Sequence, residues 1–402
     1  MSIYLDHAAS TPLRESAREA WLAAATLTGN ASSVHGAGQA ARRLLEHSRE
    51  RIAAVLDCDP IEVVLTSGGT ESINLALKGL WWGKAGDREA VLLPDGEHHA
   101  SIDTVDWLRA RGARVRAVAL DPVGRIPLDG FRTALTAPAP AALATALVAN
   151  NEVGTVQDAA QLAAAAAAAD VPLHLDAVAA MGHLPVSFSA WRGGAAPGVG
   201  LVALSVSGHK VGAPVGTGAV VVSRHARIAA LLHGGGQQRG LSSGTQDIAG
   251  AAALAVALED AEAERVGEQK RLGALGDRLW SGIRAAIPAA ELLGDARDRL
   301  AGNVHVHLPG AVGETMLFLL DQEGISVSTG SACQAGVAEP SHVVLALGRD
   351  QDVARSVLRL TLGRTTVPSD VDALLAALPR AYARATSAAR PRRLGADGVQ
   401  PS

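Results

Sequence analysis

The feature that most limits how this chain can fold is a repeated alternation of apolar runs with helix-period segments. Residues 61–65 form a β-branched run, and residues 91–93, 115–120, 143–149, 173–175 and 199–206 repeat the strand signal. Between them, residues 100–111 and 159–169 carry helical spacing, and Ile73, Leu77 and Leu80 fall at i, i+4 and i+7. An earlier helix is expected over residues 37–56, with Ala41, Leu45, Ile52 and Leu56 on one face. Strands that return through helices build a mostly parallel sheet with helices on its faces, an α/β fold. Such sheets bind ligands at the carboxyl ends of their strands.

A long helical pattern over residues 249–286 stops before Pro288 and leads to a smaller α+β unit. That unit reads as a strand at 303–308, a helix at 314–322, a strand at 357–362 and a helix at 371–384, with an interruption expected at Pro379. The expected division is a large domain over residues 15–255 and a small domain from residues 1–14 and 256–388. Residues 389–402 carry no core-forming pattern and are expected to be disordered. Net charge is −4, with no basic excess for nucleic acid or an anionic membrane. The opening residues lack the basic and apolar regions of a signal peptide, and no apolar run has the length of a membrane span. The two cysteines, Cys58 and Cys333, cannot build a disulfide framework, so a reducing cytoplasm is expected.

Several strand ends carry chemically suggestive residues. Ser67-Gly68-Gly69-Thr70 offers backbone N–H groups at a helix start, which is either a phosphate cup or an ordinary turn with a threonine cap. His98 suits stacking or proton transfer, or is a hydrogen-bonded loop histidine. Asn151 offers a donor and an acceptor together, or occupies a turn. Asp176 closes a buried strand, where an acid needs a partner. Lys210, in Ser207-Gly208-His209-Lys210, sits on a small-residue loop after a strand, where desolvation would free its lone pair. A phosphate cup, a stacking histidine, a strand-end acid and a loop lysine are together the parts that hold pyridoxal phosphate. Cys333 lies in a run of Gly, Ser and Ala, a setting expected to be mobile and to leave a thiol accessible. Cys58, between two acids, reads as incidental. Arg359, inside a strand pattern, either grips a carboxylate or faces solvent on an edge strand.

The chain resembles the NifS/IscS-like cysteine desulfurases, within the class V aminotransferase-like, fold-type I pyridoxal phosphate enzymes. The stretches LDHAASTP, GNASSVH, TSGGTESIN, EHHAS, NNEVGTVQ, HLDAV, SGHK, HGGGQQRGLSSGTQD, STGSACQAG, EPSHVVLALG and LRLTLGRTT carry the likeness, from Tyr4 to Arg384. The resemblance implies that Lys210 binds the cofactor aldehyde, Asp176 bonds the pyridinium nitrogen and His98 stacks on the ring. Gly69, Thr70, Ser207 and His209 would hold the phosphate. Thr245 would reach the phosphate of a neighbouring subunit, which implies a homodimer. Asn151 would contact both cofactor and substrate, Asn30 and Arg359 would bind substrate, and no metal is implied. Cys333 would accept sulfur from L-cysteine, leaving L-alanine and a persulfide destined for an acceptor protein.

Three positions depart from the family pattern. Ala179 replaces a glutamine that bonds the cofactor's phenolic oxygen, Ser242 replaces a common arginine, and Leu345 replaces another. A selenocysteine lyase or related lyase on the same scaffold is the alternative reading, and a non-catalytic scaffold protein is a remote one.

Overall fold

A computed structural model describes residues 2–84, 86–330 and 339–389. Strand β1 (Ile3–Tyr4) opens the chain. Seven strands of one sheet follow: β2 (Val63–Thr66), β3 (Ala90–Pro94), β4 (Arg114–Val118), β5 (Leu143–Leu147), β6 (Pro172–Asp176), β7 (Gly200–Ser207) and β8 (Gly218–Val222). The remaining strands are β9 (Glu291–Leu292), β10 (Asn303–His307), β11 (Ile325–Ser326) and β12 (Val357–Thr361).

The large sheet has the order β2-β8-β7-β6-β5-β3-β4. Only β8 runs against its neighbours; the remaining pairings are parallel. Strand β7, Gly-Leu-Val-Ala-Leu-Ser-Val-Ser, is buried at every position. That is the signature of a strand covered by helices on both faces, where alternation has no use. Helix Gly36–Leu56 buries Ala41, Leu45, Ile52 and Leu56, and helix Gly69–Trp82 buries Ile73, Leu77 and Leu80. Each leucine and isoleucine among them contributes about 1.5–3 kcal/mol when fully buried.

Helix Ile248–Ala286 starts on an Asp247 cap, whose Oδ1 accepts the Gly250 N–H at 2.8 Å. Its first half, from Ala253 to Ala261, packs into the main core. Its second half sends Leu272, Leu275, Leu279 and Ile283 into a separate core with Leu5, Val304, Val306, Leu358 and Leu360. The small sheet, in the order β12-β10-β9, lies in that second core, and β1 pairs beside it with β11.

The expected elements are present with end shifts of a few residues, with one correction. The last helix runs unbroken from Pro368 to Ala389 with Pro379 inside it. Proline removes one helical hydrogen bond. Val371, Leu374, Leu378, Ala381 and Ala385 bury a continuous stripe across that point, and this packing outweighs the lost bond. The sequence reading also omitted helices Glu15–Ala25 and Leu128–Thr136 and strand β8.

Strand β8 bears on the ligand-binding edge. A Cβ at Gly218 would come within 2.6 Å of the Gly68 Cα, so strand and loop touch backbone to backbone. Gly218→Ala is therefore expected to lower stability by about 1–3 kcal/mol in urea unfolding. Gly36→Ala, which meets nothing within 4 Å, should stay within about 0.5 kcal/mol of the parent. An unchanged midpoint for Gly218→Ala would contradict the close approach.

Candidate active site

The carboxyl edge of the large sheet carries the site. Gly68 leaves β2 at φ +147°, a conformation that suits only glycine, and Gly69 starts the next helix. A Cβ at Gly69 would fall 2.9 Å from Val178 and 3.3 Å from the Ser207 Cβ. Ser67 donates through both N–H and Oγ to Glu71 Oε2 at 2.7 Å, which ties the loop to its own helix. Ser242 Oγ donates to the other oxygen of Glu71 at 2.6 Å. Ser242, one of the three departures from the expected pattern, thus braces the cup.

A cavity of about 440 Å³ opens beside this loop. Gly69, Thr70, His98, Asn151, Asp176, Ser207, His209, Lys210 and Arg359 all line it, as does Ala179. Nine residues expected from sequence therefore meet in one place. Two do not. Thr245 lines a different cavity, with Ser67, Glu71 and Ser242, on the other side of the cup loop. Asn30 is exposed, with its Oδ1 accepting the Ser32 N–H at 2.9 Å, and does not line the main cavity. Cys333 lies outside the described residues, as does the expected tail from residue 390 on.

Lys210 follows β7 on a single helical turn, Gly208–Val211. Its Nζ donates to the carbonyl oxygens of Ala8 and Ala9, the latter at 3.1 Å. Burial pushes its pKa down to about 8, and the Arg359 charge adds to the shift against the pull of Asp6 and Asp176. Asp176 is buried at the end of β6 and accepts the Val178 N–H at 2.9 Å. Burial raises its pKa to about 6, so this anion gains from a cationic partner.

His98 caps helix His99–Arg109, its Nδ1 accepting the Ala100 N–H at 3.1 Å. The ring hydrogen is thereby placed on Nε2. By surface area the residue is exposed, because the cavity opens over it, but the protein around it still strips water away. That desolvation, then the Lys210 charge, pushes its pKa to about 4. His209 is likewise pushed to about 4 by burial and by Lys210. Arg359 is buried, not on a solvent face. Its Nη2 donates to Asp6 Oδ1 at 2.8 Å and its Nη1 to Asn151 O at 3.1 Å.

Sequence reasoning gave no role to four residues that shape this site. Asp6 orients Arg359. Glu97 is buried at the end of β3; its Oε1 accepts the Leu147 N–H at 2.7 Å, and burial raises its pKa to about 8. His342 packs on His99 at 4.7 Å between ring centroids and approaches the Glu97 carbonyl at 2.9 Å. Glu152, also buried, accepts Ser341 Oγ at 2.5 Å, and a Cβ at Gly330 would come within 2.9 Å of the same carboxylate. Each of the four lies in or beside a quoted motif, and for Glu97 and Glu152 an acid just past a buried strand was the available signal. Cys58 fits its incidental reading: burial, then Glu62 and Asp57, raises its pKa to about 12.

A model of the Aminotransferase class-V family matches residues 3–374. The chain belongs to the class-V aminotransferase family. Within that family it is 45% identical to an IscS-like cysteine desulfurase of Mycobacterium tuberculosis, over 96% of this chain and 98% of the relative. It is 35% identical to a cysteine desulfurase IscS of Methanosarcina thermophila, over 94% of this chain and 91% of the relative. Among solved structures, a NifS-like protein superposes with a TM-score of 0.87 at 29% identity, covering 96% of this chain and all of that one. For this class-V family member the mostly parallel sheet flanked by helices is thus the shared architecture.

Arg359 contributes to the depressed pKa of Lys210, and its removal would also leave the Asp6 carboxylate unpaired. Arg359→Met is therefore expected to move the Lys210 pKa upward from about 8. The measurement is the pH dependence of amine-directed labelling at Lys210, read by mass spectrometry. The labelling midpoint should rise, and at a fixed pH near the parental midpoint the variant should label more slowly. A midpoint that stays or falls would contradict the assigned electrostatics.

Proposed function

We propose that this protein is a pyridoxal-phosphate-dependent L-cysteine desulfurase that passes sulfur through Cys333 to an acceptor protein. The observation that carries the reading is Lys210, a largely desolvated amine sharing one cavity with buried Asp176, the glycine cup and Arg359. The names of the relatives support the choice of substrate.

The residues fit the cofactor. Gly69, whose Cβ would strike Val178, leaves room at the cup for a phosphate, with Thr70, Ser207 and His209 beside it. Asp176 would pair with the pyridine nitrogen, and its burial would be relieved by that cation. His98 would lie against the ring, and Lys210 would bond the aldehyde. When bound, the cofactor supplies an electron sink for the substrate's Cα.

The protein's own groups do the rest. Arg359, fixed by Asp6 and Asn151, retains N–H donors for the substrate carboxylate. With a pKa near 8, Lys210 Nζ has an accessible free-amine form at neutral pH and can take the Cα proton and return one. His98 is neutral and can hold or pass a proton at Nε2. The thiolate of Cys333 attacks the substrate sulfur: the Cβ–S bond breaks, an S–S bond forms, and a proton completes the methyl group of alanine. No external oxidant or reductant is required.

We assign the protein as a homodimer acting in the cytoplasm. Thr245, across the cup loop from the main cavity, would serve the partner's phosphate site, and Asn30 would reach a substrate site only across such an interface. The two separate cores support two domains, with Ala257, Leu258, Ala261 and Leu300 packed in the first core beyond the expected boundary at residue 255.

Two variants test the reading. Lys210→Ala is expected to lose the visible absorption band of bound pyridoxal phosphate and all alanine formation. Cys333→Ala is expected to keep the band but lose cysteine-dependent persulfide and at least a hundredfold in sulfide release. Intact sulfide release from Cys333→Ala would instead indicate a lyase without persulfide transfer.

A further inference from the structure

Lys210 borders more than the main cavity. Two small chambers adjoin it, of about 40 and 50 Å³. The inner one is lined by His7, Asn151, His183, Asn303 and Thr361. The outer one is lined by His7, Thr11, Arg14, His183, Glu264 and Arg364. Lys210, His7 and His183 border both, while Ala179 and Asn151 border the inner chamber and the main cavity. A water molecule needs roughly 10–15 Å³ and two to four polar partners, so each chamber has the size and walls to admit water.

His7 has the bonding of a connector. Its Nδ1 lies 2.9 Å from Thr11 Oγ1 and its Nε2 lies 3.5 Å from Thr366 Oγ1. Hydroxyls donate or accept, so either ring tautomer is served. The ring is held flat on Gly363, where a Cβ would come within 2.1 Å of Nδ1. The His183 ring makes no hydrogen bond among the described residues and stays available to the chambers. Burial pushes His7 to about 4 and lowers His183, which keeps both rings neutral near pH 7 and able to take a proton on one nitrogen while giving one from the other. The outer chamber ends at Glu264, an exposed carboxylate that pairs with Arg14 at 2.9 Å.

We propose that His7 and His183, with water in these two chambers, form a proton route between Lys210 Nζ and solvent at Glu264. The proposal rests on the reading of Lys210 as the group that takes the Cα proton. Only protons travel: each one leaving Nζ for solvent is replaced by one from water, and no electron or other atom crosses. Such a route lets Lys210 reset its protonation while substrate fills the main cavity. The small side chain of Ala179 leaves the inner chamber in touch with that cavity.

The test uses the cofactor-loaded full-length protein in deuterated water. The readout is entry of solvent deuterium at the Cα of L-alanine, followed by NMR, alongside the absorption band of the bound cofactor. His183→Phe, which removes the base and fills space, is expected to slow exchange at least tenfold with the band retained. His183→Gln, which keeps a polar wall, is expected to show a similar loss. Added imidazole should restore exchange in His183→Gln, should not do so in His183→Phe, whose ring occupies the space, and should leave the parent unchanged. Parental exchange rates in both variants, or a loss in His183→Gln that imidazole does not repair, would overturn the route. Normal exchange in His183→Gln alone would overturn the role of the imidazole. A parent protein that lacks the cofactor band would overturn the functional reading itself, a result distinct from either of these.

Discussion

A lysine amine stripped of much of its water is the constraint on which the rest of the site depends. Lys210 can be reactive near neutral pH only if its charge is made costly, and burial does most of that. The cost must also be bounded, or the amine would never hold a proton. Asp6 and Asp176 pull the pKa up while Arg359 pushes it down, and the net value lies near 8. These groups come from the N-terminal segment, β6 and β12, so two separate cores must be in register before the balance exists. The long helix that enters both cores supplies that register.

The sheet makes the arrangement possible. Parallel strands put their carboxyl ends on one edge, and Asp176, Ser207 and Glu97 are each at or just beyond such an end. Asp176 and Leu147 are register partners on neighbouring strands, and Glu97 bonds the Leu147 N–H. The segment after β3 is thereby tied to the end of β5, which pairs in turn with the end of β6. His98 follows Glu97 directly, so its position is fixed by the same bond.

Much of this was legible in the sequence because it is local. The βαβ alternation, the Gly68–Gly69 turn and the lysine after β7 each leave a mark within a few residues. What was not legible depends on distant partners. Arg359 read equally well as buried or exposed until Asp6, far away in sequence, was seen to hold it. The antiparallel strand β8 hid in a glycine-rich stretch because its order comes from β2 and β7 on either side. Pro379 looked like a break because proline is a local signal, whereas the stripe that carries the helix through it is tertiary. Thr245 and Asn30 have motifs but no place in the cavity of a single chain.

Glu152 touches both flanks of the segment that carries Cys333, through Ser341 on one side and Gly330 on the other. Covalent geometry then sets a leash. Cys333 is three residues beyond Gly330 in the sequence, and three extended residues span at most roughly 11 Å. Gly330 lines the cavity and Ser341 is buried, so one carboxylate marks where that segment leaves and re-enters the described fold.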